Sequence, residues 1–249
     1  LSLAVNVVDF TPLANGHGAR VVESSGDYTL QAVPVGDPEN PVGEIAFGES
    51  GYASHFVNGN LVYIVANHYS AEHYRVDAGV DIAPYPYEYT TNVTIFDFST
   101  PTSPRKRGTI EIKGNYYTPM PLADSTVMSP LYSNGEIVQV KGDVLAFAMM
   151  NSYRYYLDYG EPGAQDSQEF FQGLLIVDLS DPDRPKLAAR HAIAERDASG
   201  FFAKSGKLYY SYAVDADDDD QERSLVKYYL GRVDMADPAF PESLSPVNI

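Results

Sequence analysis

The chain has 249 residues, a formal net charge of −17 and no cysteine. The charge disfavours nucleic acids and anionic membranes as partners, because phosphate groups would be repelled, and the lack of cysteine excludes disulfides and thiolate metal sites. No apolar run approaches the roughly 20 residues that a membrane-spanning helix needs.

The first part of the chain has the least regular pattern. Tyr28–Val35 and Gly43–Phe47 are predicted strands, because they are rich in β-forming residues and bounded by turn residues. Leu1–Phe10 and Ala19–Glu23 are expected to supply two more strands. This copy carries Pro34 where three later copies have aspartate, so we expect it to depart from the common pattern.

Three later stretches share one arrangement: two strands, an insertion, a third strand, a proline-containing loop and a fourth strand. Tight turns are predicted at Asn58–Asn60, Lys141–Asp143 and Ser205–Gly206. The predicted strands are Tyr52–Val57, Leu61–Ala66, Val93–Phe98 and Gly108–Ile112; Ile137–Val140, Val144–Met149, Leu174–Leu179 and Lys186–Ile193; Phe201–Ala203, Leu208–Val214, Leu225–Met235 and Leu244–Ile249.

A short phrase recurs in all four copies: a small residue, usually Asp, followed by Pro-x-x-Pro. We call these segments the first to fourth Pro phrases; they are Gly36–Pro41, Ser99–Pro104, Ser180–Pro185 and Ala236–Pro241. Proline presets its φ angle and supplies no N–H donor for a ladder. Each phrase is therefore predicted to be a loop between two strands.

Four antiparallel strands per copy, repeated at a spacing of roughly 55 to 80 residues, indicate the blades of an all-β propeller. The predicted blades cover approximately residues 1–49, 50–114, 136–194 and 200–249 of a single domain. Four blades are compatible with a closed ring and with part of a seven- or eight-bladed ring. The alternative fold, a β-sandwich, would show alternating strands without a repeated phrase.

The third copy reads Leu175-Ile176-Val177-Asp178-Leu179 and continues into the third Pro phrase. This run resembles the LVIVP-type repeat of bacterial secreted and surface-associated propeller proteins. Phe96–Pro104 and Val233–Pro241 are similar to it, whereas the first copy matches poorly. The resemblance implies a propeller in an extracytoplasmic location, and it carries over no functional residue. Because no basic segment precedes an apolar stretch at Leu1, we expect any secretion signal to have been removed.

Four long insertions, at residues 67–92, 113–135, 151–173 and 215–224, are expected on the side of the blades opposite the Pro phrases. They hold 12 of the 20 tyrosines and 15 of the 34 carboxylates, but only 4 of the 17 Lys and Arg residues. Tyrosine offers a large contact area with few rotors and is common on recognition surfaces. The candidate ligand-binding residues are Tyr69, Tyr74, Tyr85, Tyr87, Tyr89, Tyr153, Tyr155, Tyr156 and Tyr159.

The stronger candidate for metal binding is the last insertion, because zinc at His68 and His73 of the first insertion would need a third close ligand. Asp215, Asp217 and Asp219 alternate as in a Ca²⁺ loop, but glycine is missing at the sixth position and Val226 stands where a bidentate Glu would be expected. The segment therefore favours an acidic hairpin tip with no cofactor, with Ca²⁺ as the alternative. The strands predicted to lie innermost in the blades, residues 52–57, 136–140 and 200–203, offer His55 and Glu136 as candidate acid–base groups. Arg105–Arg107 is predicted to be a solvated basic strand edge.

The sequence favours a non-catalytic binding or interaction module that holds a protein or carbohydrate on the Tyr-rich acidic face. The alternative is a propeller hydrolase or lyase acting on carbohydrate through insertion carboxylates such as Asp77, Asp81, Asp158 and Glu161. A further partner would be the remaining blades of a larger propeller. No phosphate-binding loop, Gly-x-Ser-x-Gly elbow or cysteine nucleophile occurs in the sequence.

Overall fold

A computed structural model of the chain describes residues 6–48, 52–70, 88–113, 136–149, 173–195, 198–216 and 225–249. These residues form an all-β structure of four antiparallel four-stranded sheets, and in every sheet the strands are neighbours in chain order. The prediction of four antiparallel strands in each copy is confirmed. The described part of the chain contains no helix with the length and apolar character needed to cross a bilayer.

The strand bounds are as follows. The first sheet consists of β1 Asn6–Pro12, β2 His17–Ser24, β3 Asp27–Pro34 and β4 Gly43–Ala46. The second consists of β5 Tyr52–Asn58, β6 Leu61–Ser70, β7 Glu88–Asp97 and β8 Arg105–Lys113. The third consists of β9 Glu136–Lys141, β10 Val144–Met149, β11 Gly173–Asp178 and β12 Lys186–Ala192. The fourth consists of β13 Ser199–Lys204, β14 Lys207–Ala216, β15 Leu225–Asp234 and β16 Glu242–Asn248.

The chain forms two compact units, Leu1–Tyr116 with Ser180–Pro185, and Tyr117–Leu179 with Lys186–Ile249. Each unit has its own apolar core, in which one face of a sheet packs on a face of the next sheet. The core of the first unit includes Ala19, Val21, Leu30 and Ala32 of the first sheet and Val62, Ile64, Phe96 and Phe98 at the second. The core of the second unit includes Val144, Ala146, Leu174 and Ile176 of the third sheet and Leu208, Tyr210, Tyr212 and Val233 of the fourth.

Each Pro phrase folds as a β-turn with proline at the second position, where its preset φ fits a type I or II turn. In every copy the carbonyl oxygen before the first proline accepts a hydrogen bond from the N–H three residues later. The four N–H···O distances are 3.4 Å (Asn40 to Asp37), 2.9 Å (Ser103 to Thr100), 3.0 Å (Arg184 to Asp181) and 3.1 Å (Phe240 to Asp237). The predicted loops are thus confirmed as β-turns that share the same backbone hydrogen bond.

The aspartate at the end of the third strand fixes the chain as it enters the phrase. Oδ1 of Asp97 accepts a hydrogen bond from the Ser99 N–H at 2.9 Å, and Oδ1 of Asp234 accepts one from the Ala236 N–H at 2.9 Å. Such a side-chain contact to the backbone two residues later is an Asx turn. The repeated aspartate therefore serves the turn, which gives a local reason for its recurrence.

Two of the phrases also pack on a glycine in an outer strand of the first unit. A Cβ atom at Gly43 of β4 would lie 2.2 Å from the carbonyl oxygen of Pro101. A Cβ atom at Gly108 of β8 would lie 2.4 Å from Cδ of Pro185 and 2.8 Å from the carbonyl oxygen of Pro182. The Gly108 N–H donates to that same oxygen at 2.8 Å. The second and third phrases therefore pack on outer strands in addition to forming turns.

Candidate functional site

Most of the predicted ligand-binding face lies outside the described residues. Tyr69 stands in β6 directly opposite Tyr89 in β7, and Asp215 stands in β14 opposite Val226 in β15. The other predicted residues, which lie outside the described part of the chain, are Tyr74, Tyr85, Tyr87, Tyr153, Tyr155, Tyr156, Tyr159, Asp77, Asp81, Asp158, Glu161, Asp217 and Asp219.

The hairpin of β6 and β7 extends further than the sequence predicted. The two strands pair residue by residue from Leu61 opposite Asp97 to Ser70 opposite Glu88, so the ends of the predicted insertion 67–92 belong to strands. The described residues of the neighbouring strand β5 pair with β6 as far as Ala66. Strand β8 stays paired with β7 as far as Thr90, so among the described residues only the last two pairs of the hairpin, Tyr69 with Tyr89 and Ser70 with Glu88, form a two-stranded ribbon. Just before this ribbon, Oγ1 of the fully buried Thr91 donates to Oδ1 of Asn67 at 2.7 Å.

A second ribbon is formed by β14 and β15. Their pairing runs without a break from Lys207 opposite Asp234 to Ala216 opposite Leu225, whereas the pairing of β13 with β14 stops at Ser211. Tyr228 and Val226 lie on this ribbon with 59% and 40% of their surface exposed. Both ribbons lead toward predicted insertions, at the end of each sheet opposite its Pro phrase.

A carboxylate, an imidazole and a hydroxyl form a hydrogen-bonded array between β1 and β5. Nδ1 of His55 lies 2.9 Å from Oδ2 of Asp9, and Nε2 of His55 lies 2.5 Å from Oγ1 of Thr11. These distances suit a neutral imidazole whose Nδ1–H donates to the carboxylate and whose Nε2 accepts from the hydroxyl. The sequence identified His55 as titratable but missed Asp9 and Thr11, because they belong to the irregular first copy.

Two β-bulges help to place these groups. The pairing of β1 with β2 skips a residue between Val7 and Asp9, and the pairing of β5 with β6 skips one between Tyr52 and Ser54. A bulge changes which face the following residues occupy. Asp9 and Thr11 are two residues apart and so share a face of β1, and both meet His55.

The environment of His55 keeps its imidazole neutral. Burial lowers the pKa of His55 and outweighs the neighbouring carboxylate of Asp9, which would raise it. The side chain of His55 is only 2% exposed, so protein atoms rather than substrate surround the ring. The order of the groups is that of a hydrolase triad, but the burial assigns the array to joining the first and second sheets.

We predict that the array makes stability depend on pH. The pKa of His55 is lower in the folded chain than the ordinary histidine pKa of 6.5. Just below pH 6.5 the unfolded chain therefore binds more protons than the folded chain. Stability should therefore fall as pH drops below about 6.5, toward the lowered pKa. In urea unfolding, His55→Gln should be about 2 kcal/mol less stable than wild type near pH 8 and should lose less stability on acidification. A constant difference between the two proteins across this range would contradict the assignment.

A second polar cluster surrounds Asp97 at the second Pro phrase. Its side chain is 7% exposed, and Oδ2 lies 3.0 Å from NH2 of Arg105 and 2.9 Å from NH1 of Arg107. Arg107 also pairs with Asp183 of the third phrase. The prediction that Arg105–Arg107 is a solvated edge is wrong for Arg107, whose side chain is 20% exposed and bridges two carboxylates.

Burial alone would raise the pKa of Asp97, but hydrogen bonds from Ser99, Arg105 and Arg107 outweigh burial and hold the pKa well below its usual range. A shallow depression of about 310 Å³ adjoins the cluster and is lined by Asp97, Ser99, Thr100, Ser103 and Arg105. The carboxylate is already neutralised by two guanidinium groups. The cluster therefore stabilises the contact between β8 and the third phrase.

Within the described ranges no group of three or more His, Asp or Glu side chains is arranged to hold a metal ion. The chain matches no protein family model and no curated protein sequence. The function is therefore inferred from the arrangement of its own residues.

Proposed function

We propose that the chain is an extracytoplasmic binding module of the LVIVP-type propeller kind, and that it holds a protein or carbohydrate through its Tyr-rich insertions. The observation that carries this proposal is the pair of hairpins, β6–β7 and β14–β15, whose last described pairs continue past the described residues of the neighbouring strands toward insertions. Cross-strand pairs make a ribbon stiffer than a free loop. A stiff base reduces the entropy that an insertion loses on binding.

The repeated sheets and turns of the scaffold support a propeller-like fold. Four sheets have the same consecutive antiparallel order, and four phrases have the same turn. Binding residues on rigid scaffolds are commonly placed in the connections at one end of the strands. In this proposal the phrases hold the sheets, and the insertions at the other end of each sheet bind the ligand.

The charge of the insertions favours a neutral or basic ligand. The four predicted insertions contain 15 carboxylates against 4 Lys and Arg residues. Such a surface attracts cations and repels anionic polymers, and both effects weaken as salt rises. A carbohydrate without acidic groups, or a basic protein surface, fits this charge. The hydrolase alternative depends on Asp77, Asp81, Asp158 and Glu161, and no contact of the described residues favours it.

The proposal is tested by shortening one insertion. Residues 71–87 are replaced by Asn-Gly, a two-residue turn that suits the twist of the β6–β7 ribbon. Wild type and variant are screened on a microarray of neutral and acidic glycans and on a panel of basic secreted proteins. For any ligand bound by wild type, we expect the shortened variant to lose at least about tenfold in affinity, with an unchanged far-UV spectrum.

Phe240→Ser provides the matched control, because Phe240 is 79% exposed on the fourth Pro phrase, away from the ribbons of its sheet. This variant should bind as wild type does. Equal binding by the shortened variant, or equal loss in the Phe240→Ser control, would contradict the proposal. Turnover of a bound glycan would establish the hydrolase alternative instead.

A further inference from the structure

We propose that the depression beside the second Pro phrase binds a tetrahedral oxyanion, a phosphate or sulfate group, through the guanidinium of Arg105 and the hydroxyls of Thr100 and Ser103. The second phrase lies at the end of its sheet away from the predicted insertion, so this inference is independent of what the insertions bind. Three observations carry it: the lining of the depression, the remaining donors of Arg105, and a sequence difference between the second phrase and the other three.

The depression is lined by polar side chains. It has a volume of about 310 Å³ and is lined by Asp97, Ser99, Thr100, Ser103 and Arg105. This volume is at the lower end of the range of small-molecule sites, roughly 300 to 1,000 Å³. Hydroxyl and guanidinium groups are the donors that phosphate and sulfate oxygens accept. The lining therefore suits a small oxyanion better than an apolar ligand.

The one carboxylate in the lining is compensated by protein groups. Oδ1 of Asp97 accepts the hydrogen bond from the Ser99 N–H, and Oδ2 accepts from both Arg105 and Arg107. The side chain of Asp97 is 7% exposed, whereas that of Arg105 is 68% exposed. An anion that enters the depression therefore meets the guanidinium of Arg105 rather than a bare carboxylate.

Arg105 has donors left for a ligand. A guanidinium carries five N–H groups in a fixed planar arrangement, and the bonds to Asp97 use Nε at 3.3 Å and Nη2 at 3.0 Å. The second N–H of Nη2 and both N–H groups of Nη1 donate to no described residue. Nη1 and Nη2 together form the end of the fork, which can donate to two oxygens of one phosphate or sulfate.

The second phrase lacks the acidic residue that the other three phrases carry. The residue before the first proline is Asp37, Asp181 or Asp237 in those phrases, and Thr100 in the second. The second phrase, Ser99–Pro104, contains no acidic residue at any position. Thr100 accepts the hydrogen bond of the turn through its backbone carbonyl oxygen, so the turn does not require this side chain. A carboxylate at this position would repel an anion, and threonine does not.

The guanidinium at this position also occurs only in the second sheet. The residue paired with the aspartate that ends the third strand is Arg105 in the second sheet, Lys186 in the third and Glu242 in the fourth. The third phrase, next to Lys186, carries Asp181 and Asp183. Among these three sheets, the second alone combines a guanidinium with a phrase free of carboxylates. The sequence and the shape of the surface therefore indicate the same site.

The experiment titrates the intact 249-residue chain with sulfate, inorganic phosphate, glucose 6-phosphate and glucose at constant ionic strength, observed by amide NMR. We expect sulfate and phosphate to shift the amide signals of Ser99, Thr100 and Ser103, with a Kd on the order of 1 mM for a few charge-assisted hydrogen bonds. The tighter binder of phosphate and glucose 6-phosphate identifies whether the free ion or the ester is preferred. Absence of these shifts at about 50 mM sulfate and phosphate, well above that Kd, or equal shifts with glucose, would overturn the proposal.

Two variants and a matched control locate the site. Thr100→Asp introduces the residue with which the other three phrases form the same turn, and it should weaken sulfate binding at least about tenfold. Arg105→Gln should weaken binding by a similar factor, while Arg107 remains 2.9 Å from Asp97. Lys106→Gln is the control, because the neighbouring residue of a strand faces the opposite side and Lys106 lines a different pocket.

The control variant should bind sulfate within about twofold of wild type, since the loss of one distant surface charge is screened by salt. Far-UV spectra establish that each variant is folded. Unchanged sulfate binding by either Thr100→Asp or Arg105→Gln would overturn the proposal. An equal loss in Lys106→Gln would also overturn it, because the binding would then reflect the general charge of the strand rather than this site.

Discussion

Replacing Gly108 with valine should lower the free energy of unfolding by about 3 kcal/mol, because it separates the third Pro phrase from β8. The new Cβ would lie 2.4 Å from Cδ of Pro185 and 2.8 Å from the carbonyl oxygen of Pro182. One of these neighbours is backbone and the other is the ring of a proline, so neither can rotate away. The N–H···O bond to Pro182 would be lost with the contact. Urea unfolding followed by circular dichroism measures the loss.

Gly36→Val is the matched control for this substitution. Gly36 belongs to the first phrase, and a Cβ there would meet no atom within 4 Å. We expect its effect to stay within about 0.5 kcal/mol, as for an ordinary surface change. If both substitutions have the same effect, the phrase contact at Gly108 does not stabilise the fold.

Replacing Asp97 with asparagine should also lower stability by about 3 kcal/mol, because it weakens the charge-assisted hydrogen bonds that a buried carboxylate accepts from Arg105 and Arg107. Asparagine preserves the shape and the acceptor for the Ser99 N–H, so the loss reports mainly the charge. The folded-state pKa of Asp97 is below its usual range. Its contribution to stability is therefore present above the unfolded value, about 4, and declines as the pH falls below it.

The measurement is urea unfolding of wild type and Asp97→Asn near neutral pH and at acid pH. The difference between them should shrink as the pH falls through the range below about 4. Asp178→Asn is the matched control: Asp178 ends the third strand of its sheet in the same way, but its ion pair at 3.4 Å is with Lys186, whose side chain is 68% exposed. A pair with one exposed lysine should contribute less than a carboxylate shared by two guanidinium groups, so the control should lose less. Equal losses, or a difference independent of pH, would contradict the role given to Asp97.

The regular parts of this fold could be predicted because local chemistry dominates there. A phrase such as Asp181–Pro185 has its turn residues in fixed order, and a run such as Val144–Ala148 is apolar at every position. These signals need no knowledge of distant residues. The extension of β6 through Asn67 to Ser70 could not be predicted in this way, since its polar residues resemble a loop and are held by pairing with β7.

The contacts between elements were harder to predict. Asp9 and Thr11 meet His55 only because two strands carry bulges, and a bulge has no reliable signature in a single sequence. Arg107 resembled a solvated base because its partner Asp183 is 76 positions later in the chain. The phrases themselves were predicted as turns, and their contacts with Gly43 and Gly108 depend on tertiary structure. The ligand-binding role of the tyrosines remains a prediction.

The most direct test of the scaffold is the exchange rate of a single amide. The Gly108 N–H donates to the carbonyl oxygen of Pro182 at 2.8 Å, across a long separation in sequence. If the third Pro phrase is held on β8, this amide should exchange with deuterium at least about a hundredfold more slowly than in an unstructured peptide. Exchange of the Gly108 amide at the rate of an unstructured peptide, in a protein whose β6 and β7 amides are protected, would contradict the account.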